Sequence, residues 1–247
     1  MNVDRYLARI GYDGLPRSDA KTLAALQRAH LRSIPFEAFD PARRIVPSLD
    51  PGALFDKVVE RARGGFCFEL NGLFALLLEN LGFSVTRVAA QPWVTETDRA
   101  PTFSHLALVV DASGDRWLTD VGFGASVMQP LRLADSDVQN VDGVPYVVRA
   151  DETPMHFRRI DIIDGYDFDL VPRALSDFAE QCRTYATDDD SPFTRFGPCW
   201  RWTPDGWVGV RRDRFARIVD GVLDEQPFSG GENAYVRAVR ERIGIAI

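Results

Sequence analysis

The stretch Arg63-Gly64-Gly65-Phe66-Cys67-Phe68-Glu69-Leu70-Asn71, running on to Gly82, organises the reading of the whole chain. Leu70, Leu73, Phe74, Leu77, Leu78 and Leu81 recur at helical spacing, so this segment is expected to form an amphipathic helix with Gly82 as its C-terminal stop. Gly64-Gly65 breaks whatever precedes it. Cys67 then stands in the first turn, where free N–H groups and the positive end of the helix dipole favour an anion, so its thiol is expected to lose its proton readily. Position alone does not decide its role, because free cysteines are also among the most buried small residues.

Working outward, the region before Gly64 reads as helical. Ser18 is the expected N-cap of a helix carrying Leu23, Leu26 and Ala29 and ending at Ile34-Pro35. A second helix is expected over residues 51–63, with Pro51 in its first turn. After Gly82 the period shortens. Residues 83–90, 103–110 and 116–121 are short runs rich in Val, Leu and Phe, and the last two flank Asp111-Ala-Ser-Gly-Asp115, a hairpin signal. Further strands are expected at 145–150, 155–163, 199–203 and 207–211, with a closing helix from Gly231 or Asn233 to Ile243. Asp188-Asp-Asp190 reads as a solvated loop. Helices come first, then strands, then a mixture, which makes an α+β protein rather than an alternating βαβ one.

The chain has 247 residues and a formal net charge of −7, long enough for a substantial core and too anionic to hold nucleic acid or an acidic membrane as its main task. Its 3 cysteines, Cys67, Cys182 and Cys199, show no CxxC spacing, so no metal site is expected. The opening MNVDRYLARIGYDG lacks a signal-peptide core, and no apolar run reaches the roughly 18 residues of a membrane span. These features suggest a cytoplasmic, reduced protein whose thiols are free for chemistry.

A nucleophilic thiol needs a base, and the base needs an orienting group. Among the three histidines, His30 lies on the first predicted helix and reads as a packing residue, and His156 alternates with apolar neighbours on a solvated strand face. His105 sits on the strand entering the hairpin, and Asp120 ends the strand leaving it. A turn centred between residues 112 and 113 would set the two side by side, giving a candidate triad of Cys67, His105 and Asp120. A slip of one residue would put them on opposite faces.

The nine residues 63–71 match all six fixed positions of the RGGxCxExN signature and so resemble the arylamine N-acetyltransferases. Ile34-Pro35-Phe36-Glu37, Ser104-His105, Asp120-Val-Gly-Phe-Gly124, Pro130-Leu131-Arg132-Leu133 and Ser191-Pro192-Phe193-Thr194 resemble other blocks of that family, in the same order. The resemblance implies a helical bundle carrying the cysteine (residues 1–82), a β-barrel carrying the histidine and aspartate (83–172) and an α/β lid (173–247). It implies ping-pong acyl transfer from acetyl-CoA to an aromatic amine or hydrazine, without a metal. Phe36, Phe123 and Gly124 match positions that line the acceptor pocket. Arg63 and Glu69 are expected to pair and fix the turn before the helix, and Asn71 to bond nearby backbone. Related amide synthases supply the alternative, in which an acyl carrier protein delivers a long chain for closure into a macrolactam. Ala38, Leu70 and the segment 92–100 depart from the usual family residues, which bears on acceptor and donor rather than on the triad. A cysteine hydrolase could use the same three residues, but the RGGxCxExN block speaks against it. An inactive binding protein would be expected to lose one of them.

Overall fold

The structure is a computed structural model describing residues 1–124, 127–161, 164–219, 222–227 and 229–245. Helices α1 (Val3–Ile10), α2 (Ala20–Ser33), α3 (Phe39–Ala42), α4 (Pro51–Phe55) and α5 (Cys67–Asn80) come first. The cap of α2 is Asp19 and not Ser18: its carboxylate accepts from Thr22 N–H at 2.7 Å. The helix expected over 51–63 is α4 followed by a single wider turn, Asp56–Glu60, which carries Lys57 inward.

Helix α5 starts at Cys67, and Gly82 follows its end at φ +86° in the left-handed region. Its expected polar face is absent over most of its length. Every residue from Cys67 to Leu78 except Leu76 is buried, because α5 is the central helix, packed against the other helices and against strands β2 (Ser84–Pro92) and β3 (His105–Ala112).

Strands β2 to β9 form an eight-stranded antiparallel sheet in the order β5-β4-β3-β2-β9-β8-β7-β6, where β4 is Asp115–Thr119, β5 Leu131–Arg132, β6 Gln139–Val141, β7 Val144–Arg149, β8 Met155–Arg159 and β9 Asp164–Phe168. The sheet nearly closes on itself. Across the gap between its edge strands, Arg132 N–H donates to Gln139 Oε1 at 2.9 Å and Gln139 Nε2 donates to Arg132 O at 3.0 Å. The strand expected over 155–163 ends at Arg159 and a new one begins at Asp164, while residues 162–163 lie outside the described residues.

A second, five-stranded sheet runs β1-β10-β11-β12-β13: β1 is Phe36–Glu37, β10 Cys199–Thr203, β11 Gly206–Arg211, β12 Arg214–Val219 and β13 Val222–Pro227. Strand β1 comes from the N-terminal third and pairs Phe36 with Trp200 and Glu37 with Cys199, tying the helices to the C-terminal sheet. Helices α6 (Ala179–Thr187), α7 (Pro192–Phe196) and α8 (Gly231–Arg242) complete the chain. Asp188–Asp190 is an exposed loop, as expected.

The β3–β4 hairpin turns on Ser113-Gly114, with φ of +53° and +84°, two residues that both take the left-handed region as a tight hairpin with right-handed twist needs. Ala112 pairs with Asp115 and Leu108 with Thr119, so the register is two residues away from the one expected. His105 pairs with Ala90 of β2, and Asp120 lies just past the end of β4. A two-residue shift preserves the face on which each side chain points, so His105 and Asp120 still meet.

Candidate active site

Three features of backbone geometry bring the candidate residues together. The chain before α5 passes so close to Pro35 that a Cβ on Gly64 would lie 2.0 Å from Pro35 O, a position only glycine fits. Gly65 O then accepts from Glu37 N–H at 2.8 Å, and Phe66 N–H donates to Glu69 Oε2 at 3.1 Å, which satisfies a helix-start donor and fixes the first turn. On the other side, the loop after β4 presses against α5: a Cβ on Gly122 would lie 2.7 Å from Cys67 Cα.

His105 Nε2 and Asp120 Oδ2 are 2.6 Å apart, and both side chains are buried. Asp120 Oδ2 also accepts from Tyr166 OH at 3.1 Å, while Oδ1 accepts from Asn71 Nδ2 at 2.8 Å, Gly122 N–H at 2.8 Å and Phe123 N–H at 3.1 Å. Burial works to raise this carboxyl, but the imidazole and these donors together hold it below the usual carboxylate range. Asn71 donates as well to Leu106 O at 2.7 Å and accepts from Val121 N–H at 2.9 Å, so one side chain from α5 stitches β3 to the loop carrying Asp120. Asn71 thus bonds backbone on two elements and also grips Asp120.

Cys67 is 4% exposed and His105 2%. The thiol departs from expectation. Burial pushes it well above its ordinary value, with the Asp120 carboxylate and Cys182 adding to the rise, and hydrogen bonds from the Phe68 and Leu106 backbone only partly oppose this. Loss of water outweighs the helix dipole here, so a Cys67 thiolate needs a cation beside it.

Arg63 and Glu69 do not pair with each other as expected. Arg63 binds Glu37 (Nη2 to Oε1, 2.6 Å) and Asp40 (Nη2 to Oδ1, 3.1 Å), whereas Glu69 binds Lys57 (Nζ to Oε1, 2.8 Å). Lys57 also reaches Asp40 Oδ2 at 2.7 Å and Glu37 Oε1 at 3.6 Å. Three carboxylates share two cations beneath the start of α5. Burial and the nearby Glu37 raise the Glu69 carboxyl to about 7 against the pull of Lys57. Sequence reasoning missed Lys57, although it is one of only two lysines in the chain. It missed Tyr166 too, which reaches Asp120 from β9 with no local signal.

The Phe123 ring lies 5.1 Å from that of His105, tilted against it by 58°. Phe36 lies face to face with Trp200 at 3.8 Å, and Trp200 also bounds, with Gly124, a cavity of about 340 Å³ whose walls include Trp202, Trp207 and Phe196. The other histidines sit elsewhere. His30 is fully buried, accepting from or donating to Tyr6 OH through Nδ1 at 2.9 Å, and His156 faces Glu152 at 3.4 Å and the Trp93 ring. Among the described residues there is no cluster of His, Cys, Asp and Glu able to hold a metal ion, and no helix long and apolar enough to cross a membrane.

The chain that sets a buried cysteine at a helix start and a hydrogen-bonded His–Asp pair on the adjoining sheet is matched over residues 19–247 by a family model described as N-acetyltransferase, and it belongs to the arylamine N-acetyltransferase family. It is an acyltransferase. Arylamine N-acetyltransferase of Escherichia coli K12 is 32% identical over 250 residues, covering 99% of this chain and 89% of that one. The Mycolicibacterium smegmatis enzyme is 45% identical over 152 residues, 59% of this chain and 55% of that one. Proansamycin X synthase of Amycolatopsis mediterranei is 30% identical over 231 residues, covering 89% and 88%. Among solved structures, M. smegmatis arylamine N-acetyltransferase superposes with a TM-score of 0.91 at 32% identity, covering 99% of this chain and 92% of that one. The Mycobacterium marinum enzyme in complex with CoA gives 0.90 at 28%, covering 99% and 93%.

Proposed function

We propose that this enzyme transfers an acetyl group from acetyl-CoA to an aromatic amine or hydrazine by a two-step route through Cys67, with His105 as base and Asp120 as its orienting partner. The His105–Asp120 contact of 2.6 Å carries the reading. With Nε2 held by the carboxylate, Nδ1 is the nitrogen left to take the thiol proton. Because burial opposes an isolated thiolate, the ion forms only as its proton moves to His105. The low dielectric that raises the thiol then strengthens the thiolate–imidazolium pair.

In the first half-reaction the Cys67 sulfur attacks the thioester carbonyl, with its proton on His105. First-turn N–H groups of α5 at Cys67 and Phe68, which have no intrahelical acceptor, stabilise the oxyanion. The bond to CoA breaks, the CoA sulfur leaves with the proton from the imidazolium, and the acetyl group stays on Cys67. In the second half-reaction the amine attacks that carbonyl, His105 takes its proton, and Cys67 departs and is reprotonated. On this reading residues 1–82 supply the nucleophile, 83–172 the base and 173–247 the cover, with Phe36, Phe123 and Gly124 beside the acceptor. Arg63 and Glu69 act as support, through Glu37, Asp40 and Lys57 rather than with each other.

One observation favours the amide synthase alternative as a second reading. The tryptophan-walled cavity reaching Gly124 offers room beyond a two-carbon group, and a polyketide chain handed over by an acyl carrier protein would use it. A bulky acyl thioester loading Cys67 faster than acetyl-CoA favours this second reading; the opposite order favours the first.

The assignment of the nucleophile is tested with one equivalent of iodoacetamide at neutral pH, followed by peptide mapping. Cys67 is expected to label first, despite burial, because it alone of the three thiols has a base in position. Cys182, pushed up to about 12 by burial, and Cys199, which burial also raises well above its ordinary value, have none. Labelling of Cys182 or Cys199 ahead of Cys67 would overturn it.

A further inference from the structure

The chain reaches His105 through a turn, Pro101–Ser104, closed by Ser104 N–H donating to Pro101 O at 3.2 Å. Phe103, the third residue of that turn, has φ +65°. Glycine or asparagine suits such a position, and a bulky side chain there is strained. Strain of this kind persists only where surrounding structure over-determines it, and it collects at functional sites. The surroundings here are specific. The Phe103 ring meets Phe178 edge-on with centroids 5.3 Å apart, and the Arg173 guanidinium lies 5.1 Å above it. Phe178 is fully buried and lies 5.5 Å from Phe68, the residue after Cys67. Three rings therefore join the backbone two residues before His105 to the backbone one residue after Cys67. The middle ring belongs to neither element. Arg173 is itself anchored, its N–H donating to Arg87 O of β2 at 3.0 Å. Glycine would satisfy the turn with no ring at all, so the turn's own conformation does not explain the ring; the clamp does.

We propose that Phe103 is a positioning residue for acyl transfer: its ring, held by Phe178 against Phe68, maintains the left-handed turn that sets His105 relative to Cys67. This rests on reading Cys67 and His105 as the pair that exchanges a proton. The clamp works without touching substrate. It keeps the donor–acceptor geometry from relaxing, and proton transfer falls steeply when reacting groups are misplaced.

The test compares Phe103→Gly, Phe103→Tyr and Phe178→Leu by melting temperature and by the pH dependence of Cys67 alkylation with iodoacetamide in the absence of substrates. In Phe103→Gly, relief of strain offsets lost packing, so the melting temperature is expected to stay near that of the parent. Alkylation at neutral pH is expected to slow at least about tenfold and its pH midpoint to rise toward that of an unassisted buried thiol. Phe178→Leu, which loosens the clamp and leaves the turn residue in place, should move both readouts in the same direction by less, and this holds the proposal to account even if the glycine variant fails to fold. Phe103→Tyr keeps the ring and should restore the parental profile. A parental alkylation rate and pH profile in both Phe103→Gly and Phe178→Leu would overturn the positioning role, as would failure of Phe103→Tyr to restore it. Failure of the parent itself to label at Cys67 first would instead strike the functional reading on which this one rests.

Discussion

Two buried polar networks meet at the start of α5, and they are built on opposite plans. Around Asp120 a single carboxylate gathers His105, Tyr166, Asn71 and two backbone N–H groups, so one charge is shared by many neutral donors. Beneath Cys67, Glu37, Asp40 and Glu69 face Lys57 and Arg63, so charge is opposed by charge with one carboxylate in excess. Under the proposed function, the first arrangement orients the imidazole that exchanges a proton with Cys67, while these donors hold Asp120 below the usual carboxylate range. The second ties two segments, 37–40 and 57–69, against each other through Lys57 and Arg63. Under the proposed function only the first takes part in proton transfer, and the second, half-buried at Asp40 and Arg63, is support.

That contrast is sharpest at Asp120. In Asp120→Asn the amide oxygen can keep the donors from Asn71, Gly122 and Phe123, but its NH₂ must then face His105 Nε2 and donate to it. The ring proton is driven to Nδ1, where it can no longer receive one from Cys67. A folded variant with turnover reduced about 10⁴-fold is expected, the size of effect a wrong imidazole tautomer has in serine proteases. Acetyl-transfer kinetics beside a melting curve check this, and near-parental activity would detach Asp120 from the mechanism. Cys67→Ala should lose all turnover with the fold retained.

The ionic network should break the other way, through stability. Lys57→Met leaves three carboxylates around one guanidinium, and removal of one partner from a buried ion network costs about 3–5 kcal/mol. Denaturant unfolding should show that loss, while Cys67 in the folded fraction keeps its reactivity toward iodoacetamide. A variant of parental stability would mean the network contributes nothing net.

A smaller effect concerns His30, which the fold uses only for packing against Tyr6 and Phe74. Burial lowers it from 6.5 to about 3, so the native state resists protonation more than the unfolded chain. Its share of stability is complete above pH 6.5 and drains away as pH falls toward 3, by roughly 1.4 kcal/mol per unit. The stability difference between the parent and His30→Gln should therefore shrink by about 2 kcal/mol between pH 7 and pH 5. Parallel stability–pH curves for the two proteins would show that His30 is not held neutral, and acetyl transfer by His30→Gln should stay near parental.

Local signals in the sequence located much of the first network and little of the second. The leucine spacing of α5 and the Gly64-Gly65 break place Cys67 at a helix start, and hairpin parity brings His105 to Asp120 even though the turn sits at Ser113-Gly114 and not where it was expected. Even-numbered register errors are invisible to a face argument, which is why a wrong register led to a right pair. Tyr166 arrives from a strand 46 residues beyond Asp120, and no periodicity announces such a contact. The pairing expected of Arg63 and Glu69 failed because it assumed that sequence neighbours at a helix start bind each other. Glu37 and Asp40, brought close by β1, and Lys57, turned inward by the wide turn after α4, took those partners instead. The central position of α5 escaped notice too, since an apolar stripe does not reveal that the opposite face is also covered.

The proposed transfer passes through a covalent acyl-enzyme at one sulfur. Mixing the protein with acetyl-CoA in the absence of any amine, and recording intact mass, tests it most directly. A gain of one acetyl group is expected, mapped to Cys67 and absent in Cys67→Ala, which discharges on addition of an aromatic amine with formation of the amide. A folded protein that accepts no acyl group on Cys67, from acetyl-CoA or from a bulkier thioester, would contradict the account in both its forms.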